Sequence, residues 1–477
     1  MLINYKVVFL CPLLLAAGCG SSSSDDPSSS NIAITAEAET PVVEVPVIDV
    51  PVEETSEPQA DITCSGLAFL PFSSAVASDS STGYSASNAI DGSFISTSRW
   101  STASMNQSLT LTLEQAALVK GVSITWLNED SRSYSYDIEV STDNSTWTPL
   151  ATSELSDAST DRGVFTDLTD TTAKYIKIIT TGNNVDNSSN IVEIEAFGCL
   201  TDITTDIELI DWYLSIPVDE DIATTAVNIG KEDSDDDLDD DYFHAEFFFN
   251  SLDNGLVFRA PIEGTKTSTN TKYTRTELRE MLRRGNTSIS TQGVNANNWV
   301  FSSAPQSEQD KAGGVDGELV AELAVNHVTT TGDANQVGRV IIGQIHANDD
   351  EPLRVYYRKL PGNEKGSIYL AHEIRGGDDV YYELIGTRSQ SASNPSNGIE
   401  LNERFGYKIT VVGNSLDFVL SREGQADITQ TINMSNSGYD IADEYMYFKA
   451  GVYNQNDSGE EKDYVQATFY KIENTHQ

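Results

Sequence analysis

Three short segments carry side chains suited to chemistry on an anion. The first, Tyr273-Thr274-Arg275-Thr276-Glu277-Leu278-Arg279-Glu280, has the pattern of a strand. Strand side chains point alternately to opposite faces, so Arg275, Glu277 and Arg279 share one of them. Two guanidinium groups spaced by a carboxylate are wrong for an apolar core and right for gripping an anionic ligand. The second segment, Gly343-Gln344-Ile345-His346, puts an amide and an imidazole on one face and Ile345 on the other. The third, Tyr447-Phe448-Lys449-Ala450-Gly451-Val452-Tyr453-Asn454-Gln455, presents Tyr447, Lys449, Tyr453 and Gln455 on one side, with Phe448, Ala450 and Val452 opposite. Arg, Gln, His, Lys and Tyr in one groove could neutralise a carboxylate, take a proton and return one. Each segment alone also has a plainer reading. The Arg-Glu-Arg strand could be a salt-bridge ladder, His346 a structural histidine, and Tyr447 and Lys449 the cover of a sheet edge.

The elements that must position these residues are strands. The chain is a succession of short Thr/Val/Tyr/Ile-rich runs bounded by turns, with few stretches of helical period, which predicts an all-β protein. Its 477 residues predict two globular domains with connecting segments. Lys and Arg total 29 against 73 Asp and Glu, a formal net charge of −44. So acidic a surface argues against nucleic acid as a partner and suits a solvated extracellular protein. Attraction of an anion must then be local, and Arg275, Arg279, Arg283 and Arg284 form the densest basic cluster. The acidic run Glu232 to Asp241 reads as a solvated loop, with a calcium-holding loop as the alternative.

Residues 1–19 read as an export signal: Lys6, an apolar run from Val7 to Ala17, then Leu15-Ala16-Ala17-Gly18-Cys19. The last five resemble the bacterial lipoprotein box, which implies that Cys19 is lipidated and anchors the chain to a membrane. A soluble signal peptide is the alternative. Residues 20–61, Ser-rich and then Pro/Val/Glu-rich, are expected to be a disordered tether. The protein is thus placed in the bacterial cell envelope, as an outer-membrane lipoprotein, or secreted, and is expected to be a monomer.

Residues 62–200 alternate strand-like runs with polar loops, the pattern of a β-sandwich. Cys64 and Cys199 bracket this domain, and in an exported protein such a pair is expected to form a disulfide. Ser87-Asn88-Ala89-Ile90-Asp91-Gly92, Ser98-Arg99-Trp100-Ser101, Tyr136 to Asp143 and Ile194-Glu195-Ala196-Phe197-Gly198 resemble the discoidin, or coagulation-factor C-type, domain. That implies a carbohydrate-binding module of family 32. The family often holds a structural calcium, for which Asp91 and Glu195 are the candidate ligands. Asp91 as a turn cap is the alternative.

In residues 203–477 the three segments occur in the order in which they resemble the signature motifs of polysaccharide lyase family 7, and Val257-Phe258-Arg259-Ala260-Pro261 is similar to that family too. The resemblance implies a β-jelly roll, a concanavalin-like sandwich, whose groove binds alginate and cleaves it by β-elimination without a metal. By the same resemblance Arg275 and Gln344 hold the C5 carboxylate. His346 neutralises it or acts as base on guluronate, and Tyr453 protonates the leaving oxygen or serves as base on mannuronate. Glu277 orients the arginines, while Arg279, Lys449, Tyr447 and Gln455 meet neighbouring uronates. For Tyr453 to be a base, Arg275 or Lys449 must favour its ionised form. Ile345 between Gln344 and His346 accompanies activity on guluronate-containing blocks. Two rivals stand beside this reading. A jelly-roll glycoside hydrolase needs a pair of carboxylates, for which Glu318 and Glu322 are the candidates. A non-catalytic lectin has no need of Gln344, His346 and Tyr453 together.

Overall fold

The computed structural model describes residues 67–156, 163–200, 207–219, 226–229, 238 and 242–477. Cys19, the tether, Cys64 and all of the acidic run except Leu238 lie outside the described residues. What is described is all-β, with only single-turn helical pieces at Ala86–Ala89 and Gln306–Gln309.

In the first domain the long strands Gln107–Trp126, Val164–Asn183 and Ser189–Cys199 pair side by side, flanked by Tyr134–Ser141 and Thr148–Leu155. Their alternating apolar residues build one core around Leu109, Leu111, Ile124, Ile138, Ile176 and Ile178. Trp100, fully buried, donates from its indole to the carbonyl of Asp79 at 3.0 Å, so the Ser-Arg-Trp-Ser segment is structural.

The second domain is a sandwich of two sheets. The outer one runs Ile428–Asn433, Ser415–Ser421, Arg404–Val412, Gly317–His327, Tyr464–Thr475, Leu256–Pro261 and Phe248–Asn250. Its strands alternate buried and exposed positions, as in Arg404–Val412 and Ser415–Ser421, because one face packs and the other meets water. The inner sheet runs Ala226–Ile229, Trp212–Asp219, Arg275–Glu280, Tyr447–Asn454, Arg339–His346, Leu353–Arg358, Lys365–Glu373 and Asp379–Ile385. Here the pattern differs: Arg275–Glu280 is buried at all but its first residue. Leu278, Phe448, Ala450, Val452 and Ile345 enter the core between the sheets. The opposite face is closed by polar and charged side chains that bury one another.

The two domains are joined by more than the chain. Ala68–Leu70 pairs with Ser189–Cys199 and, at Ala68, with Asn250, so the outer sheet continues into the first domain. Arg259 donates to both carboxylate oxygens of Glu195, at 2.7 and 3.0 Å, with both side chains buried. The Tyr464 hydroxyl donates to the Gly92 carbonyl at 2.9 Å. The two candidate calcium ligands have partners within the protein. Glu195 pairs with the Arg259 guanidinium, and Asp91 caps its own turn, accepting from the Ser93 amide at 2.9 Å and the Ser98 hydroxyl at 2.5 Å. Among the described residues no cluster of three or more His, Cys, Asp or Glu is arranged to hold a metal.

Candidate active site

The strands bearing the three segments lie side by side. Arg275 stands opposite Tyr453, Glu277 opposite Gly451 and Arg279 opposite Lys449. On the other flank Gln344 stands opposite Lys449 and His346 opposite Tyr447. Gly451 makes this close pairing possible. It has a φ of +132°, and a Cβ there would sit 2.6 Å from the Thr276 carbonyl oxygen and 2.8 Å from Glu277 Cα.

Glu277 is the hub. It is 1% exposed and accepts from Arg275 Nη1 at 2.9 Å, from the Lys449 ammonium and from the Gln344 amide. Burial favours its neutral form, but Lys449 and Arg275 outweigh that and hold the carboxyl below the ordinary range. Lys449 feels the reverse. Burial and the Arg275 charge bring it down to about 8, against the pull of Glu277. Arg275 keeps a buried Nε with no hydrogen-bond partner, and its guanidinium lies 3.7 Å over the Tyr453 ring.

His346 is fixed in one tautomer. Its Nδ1 is 2.6 Å from the Ala347 carbonyl, which can only accept, so the proton sits on Nδ1 and Nε2 carries the lone pair. The ring stacks on Tyr447, centroids 5.0 Å apart. Burial, with Lys449 adding to it, lowers its pKa to about 3, so the imidazole is neutral. A neutral ring has no charge with which to neutralise a carboxylate. It does have an unprotonated nitrogen able to accept a proton.

For Tyr453 the two expected roles, acid or base, depend on its ionisation. Arg275 does pull its pKa down, yet burial wins and the phenol is raised above its usual value. It stands in the groove as an acid rather than a phenolate.

Most of the basic cluster is committed to partners within the protein. Arg279 is 3% exposed and donates to the Thr291 carbonyl at 2.8 Å and to Asn298 at 2.6 Å. It tethers a loop beneath Tyr447, over whose ring it lies at 4.0 Å, instead of presenting a free fork to a neighbouring uronate. Arg283 is buried against the Ile289 carbonyl, and Arg284 pairs with Glu208 and Asp211. Gln455 turns its amide to the Asn454 carbonyl. The cations open to the groove are therefore few, and Arg275 leads them.

Sequence reasoning missed Glu351. Its carboxyl lies 3.4 Å from His346 Nε2. Burial raises its pKa to about 7, with Arg354 opposing and Glu373 adding to the rise. Glu318 and Glu322 sit on the outer sheet, paired with Lys408 and Arg404, and take no part in this groove.

Residues 207–476 match the alginate lyase family. The chain belongs to that family. It is a polysaccharide lyase, and residues 74–194 match the F5/8 type C domain. An alginate lyase of Klebsiella pneumoniae is 58% identical over 280 residues, covering 56% of this chain and 89% of that protein. The crystal structure of the alginate lyase from Klebsiella pneumoniae superposes with a TM-score of 0.55 at 56% identity, over 57% of this chain and 97% of that one. This alginate lyase thus pairs its catalytic jelly roll with a carbohydrate-binding-type domain.

Proposed function

We propose that this alginate lyase cleaves by β-elimination with its own side chains, and that it favours guluronate-containing blocks. The C5 proton of a uronate is scarcely acidic while the neighbouring carboxylate is charged, so the site must first offset that charge. Arg275, through its unpartnered Nε, and the second amide N–H of Gln344 are placed to do so. His346 Nε2 takes the C5 proton. The electron pair of that C–H bond forms the C4–C5 double bond, the C4–O bond breaks, and Tyr453 gives its proton to the leaving oxygen. Solvent then resets both groups.

The observation that carries this reading is the division of labour between a neutral His346 with an unprotonated Nε2 and a protonated Tyr453. A base and an acid on separate strands suit guluronate, in which H5 and O4 are both axial and depart from opposite faces. A single residue acting as both suits mannuronate. The groove supplies its own cations, so turnover is expected to survive a chelator. The test is initial rates on pure guluronate and pure mannuronate blocks. A higher kcat/KM on guluronate supports the preference, and a higher value on mannuronate overturns it.

We also propose that Cys19 is lipidated, that the chain acts from the cell envelope, and that Cys64 pairs with the buried Cys199. Lipid labelling of the full chain and of Cys19→Ala tests the anchor. Equal labelling of the two would refute it.

A further inference from the structure

We infer that the concave sheet holds a further carboxylate subsite beyond Tyr453, in which Arg339 and Arg388 grip a uronate of the same polysaccharide chain. The inference rests on the lyase reading of the groove. A cavity of about 490 Å³ opens there, lined by Arg339, Tyr356, Tyr369, Tyr381 and Arg388. Its floor continues that of the catalytic site. Ile341 stands opposite Tyr453 in the sheet, and Tyr453 packs against the cluster of Ile341, Tyr356 and Tyr369. Arg339 lies two residues further along the same face, about 7 Å at strand rise.

The lining is built for a charged sugar. Tyr356 and Tyr369 stack with centroids 4.7 Å apart, and Arg388 lies 3.9 Å over the exposed ring of Tyr381. Arg358 spends its guanidinium on the carbonyls of Ala334, Val337 and Arg388, so it fixes the wall rather than the ligand. Arg339 gives one N–H to the Gln455 carbonyl at 3.2 Å and keeps a buried Nε without a partner. Glu383, the acid in the lining, accepts the Arg388 backbone amide rather than its guanidinium. In a chain of net charge −44, neither Arg339 nor Arg388 is ion-paired among the described residues. Uncommitted cations amid so many carboxylates mark a place kept for an external anion.

The test is steady-state kinetics of the full chain on guluronate-rich polymer, followed by ultraviolet absorbance, for wild type, Arg388→Ala and Arg339→Gln. Arg404→Ala, on the outer sheet, controls for the loss of a positive charge. Loss of a charge-assisted contact is expected to raise KM about tenfold with kcat unchanged in both pocket variants, and to leave the control at the wild-type value. An active wild type with unchanged KM in both pocket variants, or an equal rise in the control, overturns the subsite alone. An inert wild type overturns the groove reading itself, and the subsite with it.

Discussion

The Nδ1–H of His346 donates to the Ala347 carbonyl at 2.6 Å, and this one contact decides what the imidazole is able to do. With Nδ1 committed, the ring meets substrate through an unprotonated Nε2. Burial lowers its pKa to about 3, so the ring is neutral at neutral pH. Nitrogen-resolved NMR of the free protein is expected to show the Nδ1–H tautomer and no imidazolium down to about pH 4. A titration centred near the ordinary histidine value would contradict the assignment.

Lys449 sets the alkaline limit. Its ammonium is charged below about 8 and is lost as the pH rises through that value, leaving the groove with one cation fewer. The kcat/KM profile is therefore expected to fall above about pH 8. In Lys449→Arg, whose guanidinium stays charged, that fall should move up by about two pH units or more, whatever the absolute rate. A limb that stays in place would assign it to another group.

Glu277 holds two cations under the groove floor, and its removal leaves both buried and uncompensated. Glu277→Ala is expected to lose about 3–5 kcal/mol of stability in urea as well as its turnover. A variant of near wild-type stability that is merely slow would mean that the cluster is wetter than the 1% exposure of Glu277 implies.

Much of this site is legible in the sequence, because alternation along Arg275–Glu280 and Tyr447–Asn454 assigns each side chain to a face and the core confirms it. Other features, Glu351 among them, were not legible. Arg279 has the same period as Arg275, yet whether a guanidinium reaches solvent depends on the loop at Thr291 to Asn298 that folds over it. Arg339 escaped because the strand Arg339–His346 is bulged between Ile341 and Gly343. The bulge reverses the alternation, so counting back from Gln344 puts Val340 and Ile342 in the groove, whereas both are core. The direction of the Tyr453 shift is a balance between burial and Arg275, and burial is not written in a motif.

The junction between the domains is a further point of attack. Arg259 and Glu195 are buried as a bidentate pair, and either alone would be an unpaired charge. Arg259→Ala is expected to cost about 3–5 kcal/mol and to open the junction to limited proteolysis, while kcat on alginate stays near the wild-type value. Unchanged stability would show that the pair is replaceable by water.

The elimination itself is tested most directly by the ultraviolet absorbance of full-length protein acting on alginate, with a parallel count of new reducing ends. The conjugated C4–C5 double bond should appear in step with each new end, persist in a chelator, and fall about 10²–10⁴-fold in Tyr453→Phe. New ends without absorbance would be hydrolysis, and full activity in Tyr453→Phe would remove the acid from the scheme.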